Sequence, residues 1–381
     1  MEIRLDRDEL IRELTLLQGV VERRTTIPIL SHLLLDARED GVHLAATDLD
    51  VSLATSCEGE VAATGAIAIE AKKFTEIIRA LGDSEVRLAR DDAQQLSIEA
   101  GRSHFKIRGL EAESFPTLPQ VDGPLAAEID VPALRSLIGK IFFAISSEES
   151  RFQLNGALLK IREDGLEMVA TDGHRLALVE MATDDGAAAA EEAGVVPRLT
   201  VHAAQEGVLV PRKALQELLR FDGEGRMGFR RSEHHLSFRL GPRELTCRIL
   251  EGTFPDYERV IARDQEKRPV LDRESFQKAV QRVALLTGER SRGVLLAFDD
   301  GELTISATNP DLGEALESLP CEYAGEPVRL GLNPEYLSQF LGAVETSRVR
   351  LELKDGESQC VGHPVEQEAL RYLCVIMPMH V

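Results

Sequence analysis

The densest group of side chains with chemical potential in this sequence is Thr171-Asp172-Gly173-His174-Arg175-Leu176. An aspartate two residues from a histidine can serve as an acid–base pair or supply two metal ligands. A repeat in the chain favours a simpler reading. Ala170-Thr171-Asp172 recurs as Ala46-Thr47-Asp48 and as Ala307-Thr308-Asn309, and a short polar side chain directly after an apolar alternating run sets a turn. Asp172 is therefore expected to be a turn-former, and only Gly173-His174-Arg175 sets the middle copy apart. There is no Gly-x-Ser-x-Gly and no His-Glu-x-x-His, and none of the nine histidines lies near a nucleophile or a second carboxylate cluster. His234-His235 falls in a predicted hairpin and is expected to be solvated. Cys57, Cys247, Cys321, Cys360 and Cys374 are odd in number and far apart, which argues against a disulfide framework or a zinc site. The residues thus predict a protein that is not an enzyme and uses no metal and no cofactor. A hydrolase working through Asp172 and His174 is the alternative.

The elements that position these residues repeat three times. One segment in each third is an apolar alternating run, an Asp-Gly turn and a second run, the pattern of a β-hairpin. These segments are Leu33–Leu35 to Asp48, Ala157–Leu159 to Asp172, and Val294–Leu296 to Asn309. A second set runs from a short strand straight into an amphipathic helix: Ile67–Ile69 to Phe74, Val208–Val210 to Leu215, and Leu330–Leu332 to Leu337. A third set opens each repeat in the same way, at Ile3–Leu5, Glu128–Asp130 and Pro269–Leu271. The pattern predicts a β-α-β-β-β unit used twice per domain, with helices over 7–19, 72–81, 132–142, 212–221, 273–287 and 334–344. Domains are expected at 1–125, 126–265 and 266–381. Thr183 to Gly207, with its low-complexity Asp184–Glu192 stretch, is expected as a mobile surface insertion or a short helix.

The chain has 44 Lys and Arg against 65 Asp and Glu, a net charge of −21, so any contact with a polyanion must be local. The six predicted helices carry 13 basic and 7 acidic residues, so the excess acid lies elsewhere. With a Debye length of about 8 Å at physiological salt, helices sharing one surface would attract DNA despite the net charge. Solvated helix faces are the plainer alternative. The amino end lacks an uninterrupted apolar stretch, and no segment approaches the roughly 18 apolar residues of a membrane helix, so a cytoplasmic protein without membrane contact is expected. The carboxyl end, Val375–Val381, is apolar, and such a tail frays unless docked. Phe115-Pro116, Phe254-Pro255 and Met377-Pro378 hold equivalent places in the repeats.

With the threefold repeat, Ile27-Pro28-Ile29-Leu30, Ala170-Thr171-Asp172-Gly173-His174-Arg175-Leu176, Phe254-Pro255-Asp256-Tyr257 and Met377-Pro378-Met379 in place, the chain closely resembles the bacterial sliding clamps, the beta subunits of the DNA polymerase III holoenzyme. The likeness runs in order over essentially the whole length. It implies an α+β fold of three similar domains in a head-to-tail homodimeric ring, with helices lining a central hole threaded by duplex DNA. The implied function is that of a processivity factor. Its implied partners are a second copy, double-stranded DNA without sequence preference, a clamp loader, the replicative polymerase alpha subunit, and other proteins with a clamp-binding motif, such as repair polymerases, ligase and mismatch repair factors. The implied location is the cytoplasm, at the nucleoid during replication.

Carried over residue by residue, the resemblance implies a peptide pocket of Leu154, Thr171, Gly173, His174, Arg175, Leu176, Pro255, Arg259 and Val260. The tail residues Val375, Ile376, Met377, Pro378, Met379, His380 and Val381 complete it. Such an apolar groove would take Leu or Phe anchors of short peptides. DNA-facing residues are implied at Arg24, Lys73, Arg212 and Lys213. The implied subunit contact sets Phe105 and Ile107 against Leu285 and Leu286. The ending His380-Val381 stands where some members have Arg-Leu. A repeat-built scaffold that never meets DNA is the other reading the sequence leaves.

Overall fold

The computed structural model describes residues 1–22, 26–91, 93–183, 198–288, 293–366 and 370–380. Among the described residues six α-helices stand within an otherwise β-rich fold: α1 (Arg7–Val20), α2 (Ala71–Ala80), α3 (Val131–Ile141), α4 (Arg212–Leu218), α5 (Arg273–Val283) and α6 (Pro334–Ala343). Their starts are chemically marked. The side chains of Asp6, Glu70, Asp272 and Asn333 accept the first free backbone N–H groups of α1, α2, α5 and α6 at 2.6–2.9 Å. Two helices stop several residues short of the predicted ends, α4 at Leu218 and α5 at Val283. The last residues of the α4 segment tighten into turns, with Phe221 N donating to Leu218 O. The end of the α5 segment becomes a 3₁₀ turn over Ala284–Leu286.

Contacts gather the chain into two compact units, so the middle third of the sequence contributes to both. One unit holds residues 1–131 and 213–249; the other holds 132–212 and 250–381. In the first unit an antiparallel run of strands proceeds Leu125–Asp130, Arg226–Arg231, His235–Leu240, Arg243–Arg248, Val51–Cys57, Gly41–Thr47, His32–Arg38 and Gly65–Glu70. It continues through Ser103–Leu110, Gln95–Ala100, Glu85–Arg90, Glu2–Asp6 and Gly59–Ala63. The join between repeats is ordinary strand pairing, with Leu53 opposite Leu245 and Ser52 opposite Thr246. Helix α1 packs on α2 and on the Val51–Cys57 strand, and its Leu10, Leu14 and Leu17 are wholly buried.

The second unit repeats that device. Its larger sheet runs Gln205–Pro211, Gly156–Arg162, Gly165–Thr171, Arg175–Ala182, Leu370–Ile376, Cys360–Pro364, Arg348–Glu352 and Val270–Asp272, joined where Ala177 faces Cys374. A separate four-stranded sheet, Gly313–Pro320, Glu302–Asn309, Val294–Asp299 and Val328–Leu332, leaves Gly313–Pro320 at its edge. Helices α5 and α6 pack on each other.

The expected insertion needs correction at its carboxyl end. Residues 184–197 lie outside the described residues, but Leu199–Val201 and Gln205–Pro211 are strands. Leu199 is buried, so apolar burial orders this part of the segment, which runs into the strand expected at Val208–Val210.

Within the first unit, α1 is tied to the joined sheet by charge. Arg243 grips both oxygens of buried Glu13 at 2.6–3.1 Å, and Thr55 Oγ1 donates to the same carboxylate at 2.7 Å. Removing one partner of a buried pair strands the other without solvent. Arg243→Met should lower stability by about 3 kcal/mol in urea unfolding, and adding Glu13→Leu should restore most of the loss. Purely additive losses would assign the effect to packing.

Candidate functional site

The Thr171–Leu176 segment is a turn built by its own side chains. Asp172 Oδ1 accepts from the backbone N–H groups of His174 and Arg175 at 2.9 and 3.0 Å, and Asp172 Oδ2 accepts from Arg175 Nε at 3.0 Å. Thr171 Oγ1 donates to Arg175 O at 2.6 Å and accepts from Gly173 N. The other repeats use the same chemistry: Asp48 Oδ1 accepts from Asp50 N and Val51 N, and Asn309 Oδ1 accepts from Asp311 N. Asp172 is thus the turn-former its repetition predicts. Gly173 sits at φ +91°, a left-handed conformation that favours glycine. His174, solvent-exposed, caps the turn.

The Arg175 side chain is buried and held from several sides. Its guanidinium hydrogen-bonds Gln339 and, at 2.5 Å, Phe143 O, and it lies 4.1 Å from the Tyr336 ring centroid. It anchors the turn to α6 and to the chain following α3. Tyr336, Gln339 and Phe143 escaped the sequence reading, since nothing in their spacing links them to residue 175.

Around the turn the second unit assembles an apolar floor. Leu158, Val169, Leu176, Leu178, Val361, Leu373 and Val375 form one buried cluster with Tyr257 and Leu209, and Leu250, Phe254, Ile261 and Ala262 pack against it. Leu154 is buried, whereas Pro255, Arg259, Val260 and Phe152 are exposed. Arg259 pairs only with Asp256, at 2.7 Å. The tail is docked: Val375 and Ile376 complete the Leu370–Ile376 strand, Met377 N donates to His174 O, and Met379 N donates to Gly331 O, both at 2.9 Å. Met377 remains partly exposed, and Pro378 and Met379 are half-buried beside exposed His380. Val381 lies outside the described residues.

The floor gives way to charge along the same sheet face. Lys160, Glu167, Glu180 and Arg371 face one another in register across four strands. Arg162 donates to Glu167 at 2.7 Å and Arg371 to Glu180 at 2.8 Å, while Tyr257 donates its hydroxyl to Glu167 and accepts from Lys160. Burial raises the Glu180 pKa, and Glu167 opposite adds to the rise. Burial opposes ionisation of Glu167 as well, but hydrogen bonds from Tyr257 and Glu180 and the charges of Lys160 and Arg162 bring it below its ordinary value. Tyr257 therefore pins the loop that bears Pro255 and Val260.

The basic residues separate into two kinds. Lys73, on α2, is exposed and pairs with Glu76 at 2.6 Å. Arg212 donates to Ile145 O at 2.9 Å and stacks 4.6 Å from the Phe142 ring centroid; burial lowers its pKa. Lys213 donates to Val20 O at 2.7 Å and pairs with Asp48. Arg24 lies outside the described residues. In the first unit Phe105 and Leu110 are exposed and Ile107 is half-exposed; in the second Leu285 is exposed and Leu286 half-exposed. Leu110, Leu312 and Leu316 are also exposed and were missed, although Leu316, an apolar residue on an exposed edge strand, is a readable signal.

Among the described residues no helix is long and apolar enough to cross a membrane, and no group of three or more His, Cys, Asp or Glu is placed to hold a metal ion. Models of the DNA polymerase III beta subunit match the chain in three places: the N-terminal domain at residues 1–119, the central domain at 128–206 and the C-terminal domain at 258–380. The beta sliding clamp of Pseudomonas aeruginosa is 36% identical over 382 residues, covering 100% of both chains. The crystal structure of the P. aeruginosa DNA polymerase III subunit beta matches with a TM-score of 0.89 at 34% identity, over 100% of both chains. The sliding clamp of Bartonella birtlesii bound to griselimycin matches with a TM-score of 0.90 at 34% identity, also over 100% of both chains. Repeat, fold and full-length likeness agree, and the chain belongs to the DNA polymerase III beta subunit family, the bacterial sliding clamps.

Proposed function

We propose that two copies close head to tail into a ring around duplex DNA, and that the groove beside Thr171–Leu176 and the Val375–Val381 tail tethers replication and repair proteins by short peptides. In this reading the chain divides at 1–125, 126–265 and 266–381, acts in the cytoplasm at the nucleoid, and performs no catalysis. Its partners are a clamp loader, the polymerase alpha subunit, repair polymerases, ligase and mismatch repair factors.

One observation carries the ring: the Gly313–Pro320 strand is an edge, while its equivalents in the other repeats are paired. Ala46 faces Leu53, Ala170 faces Ala177 and Ala307 faces Ala315, so Leu53, Ala177 and Ala315 are equivalent. Leu53 is paired with Leu245, and Ala177 with Cys374. The first repeat's counterpart of those partners follows by reading across its strands. Ile3, Leu88, Ile98 and Phe105 lie opposite one another in turn, as Ala127, Phe229, Phe238 and Leu245 do. In the last repeat Leu351, Gly362 and Cys374 align the same way. Phe105 is thus the equivalent residue, and the repeat sets Ala315 of one copy opposite Phe105 of the next. That register puts Glu314 opposite Lys106 and Gly313 opposite Ile107. It also covers Leu285 and Leu316, 78% and 71% exposed in the single chain.

For the groove, support comes from the buried apolar floor beside a docked Met-Pro-Met tail. For DNA, it comes from the helical bias in basic residues, with Lys73 the most available of the proposed contacts.

Light scattering should give twice the chain mass, and Leu285→Ala with Leu286→Ala should yield monomer. Lys106→Glu and Glu314→Lys should each weaken the dimer severalfold, and together restore much of it, because opposite charges facing across strands favour pairing and like charges oppose it. A ring has two such interfaces, so each change acts twice. Failure of the double reversal to rescue would reject the register.

Met377→Ala should weaken a short Leu- and Phe-containing peptide by about 1–3 kcal/mol in calorimetry while the dimer persists. Unchanged affinity would remove Met377 from the groove.

Retention on DNA should be topological, since a chain at −21 makes few phosphate contacts and those weaken steeply with salt. Once loaded on a nicked circle, the protein should survive a high-salt wash and leave when the circle is cut. Lys73→Ala should impair loading or sliding more than retention. Release from intact circles by salt alone, as fast as from linear DNA, would favour the scaffold reading.

A further inference from the structure

The sheet face that floors the groove does not end at Tyr257. Alternation along the strands keeps Arg162 on the face of Leu158, Glu167 on that of Val169, Glu180 on that of Leu178, Arg371 on that of Leu373 and His363 on that of Val361. At this charged end lies a cavity of about 560 Å³ whose lining includes Arg162, Glu167, Glu180, Arg350, His363 and Arg371. Its charges are layered. The carboxylates lie deep, with the Glu167 side chain 3% exposed, while the Arg371 and Arg162 side chains are 67% and 46% exposed. Arg371 donates to Glu180 through one terminal nitrogen and Arg162 to Glu167 through one. A guanidinium carries five N–H donors, so both keep capacity for another carboxylate. Arg350 Nε is buried without a hydrogen-bond partner, 3.4 Å from the nearest Glu352 oxygen. Burial lowers the His363 pKa. Asp164 is the exposed carboxylate of the lining.

We propose that this cavity is a second subsite of the peptide groove, taking acidic residues that flank the apolar anchors of a partner peptide. The inference rests on the groove's proposed role. The reach is short: Thr171 and Glu167 are four strand residues apart, about 13 Å at roughly 3.3 Å per residue. An extended peptide with four or five residues beyond its anchors spans that distance. Of the lining acids, Glu167 is buried and Glu180 part-buried, each paired with an arginine, and Asp164 alone is exposed, so the cationic heads of Arg162, Arg350 and Arg371 outnumber the one carboxylate presented to solvent. A basic flank would meet those heads and be repelled. The subsite would give an acidic partner a local foothold on a chain whose net charge opposes it.

The test uses the full-length protein and fluorescence anisotropy with five labelled peptides. One is a bare Leu- and Phe-containing core; two add a pair of glutamates four residues away, one on each side, and two add a pair of lysines in the same places. On the wild-type chain the glutamates on one side should tighten binding about fivefold at low ionic strength, with most of the gain lost at about 0.5 M salt. The lysines should weaken binding. Arg350→Gln with Arg371→Gln should remove the gain and leave the core's affinity unchanged. Because Arg371 also pairs with Glu180, Arg350→Gln alone, which breaks no hydrogen bond at Nε, should remove part of it. Equal binding of the core and both glutamate peptides overturns the subsite, as does a gain that survives in the double variant. Failure of the bare core to bind would instead overturn the groove itself, and the subsite with it.

Discussion

The constraint on which the rest depends is that a sheet edge bears unpaired N–H and C=O groups. Each repeat ends one of its sheets on a strand that needs a partner: Val51–Cys57, Arg175–Ala182 and Gly313–Pro320. The first two find theirs within the chain, at Arg243–Arg248 and Leu370–Ile376. The third has none, and its exposed leucines make it a poor surface to leave in water. Three copies of one motif therefore generate two internal joins and one unfilled one. A partner offering Ser103–Arg108, the stretch of that strand ahead of its pairing with Gly65–Glu70, would satisfy the third by the rule that built the others. Assembly in this view needs no special interface, only repetition of a pairing already used twice.

The groove is a by-product of the same rule. Pairing Arg175–Ala182 with Leu370–Ile376 brings Leu176 and Leu178 beside Val375 and Leu373. The chain then leaves the sheet as Met377-Pro378-Met379, held by His174 O and Gly331 O. An apolar tail that would fray alone is fixed at both its methionine N–H groups, so its side chains form one wall at little further entropic cost. The opposite wall is fixed by Tyr257 on Glu167. Both walls thus hang on one sheet, and Lys160 and Arg162 hold the Glu167 carboxylate on which Tyr257 rests.

Much of this was legible in the sequence because it is local. Asp-Gly turns, alternating runs and helix starts such as Asp6 and Asp272 act over three or four residues, and the threefold recurrence exposed Asp172 as a turn-former rather than a catalyst. What stayed hidden depends on register. Lys160, Glu167, Glu180 and Arg371 lie up to 211 positions apart and meet only because three strand pairs align them. Arg175 read as a groove residue by motif, yet its guanidinium turns inward to Gln339 and Tyr336, on a helix 160 residues later. Lys213, implied by the resemblance to face DNA, also pairs with Asp48 and donates to Val20 O, neighbours 165 and 193 positions away. The edge leucines Leu312 and Leu316 were visible as letters, but only the unpaired strand gives their exposure a meaning.

The placement of Arg175 shifts where specificity resides. A buried guanidinium bonded to Asp172, Gln339 and Phe143 O has no spare freedom to follow a ligand. It makes the turn rigid, and in the proposed reading the apolar half of the groove, floored by Leu176 and Val375 and edged by part-exposed Met377 and Met379, would select by shape. Selection by charge then falls to side chains that reach water, and along this face those are the arginines beyond Tyr257. A site divided in this way accepts many peptides that share anchors and ranks them by what flanks those anchors. One groove can therefore serve several partners in an order set by electrostatics rather than by separate pockets.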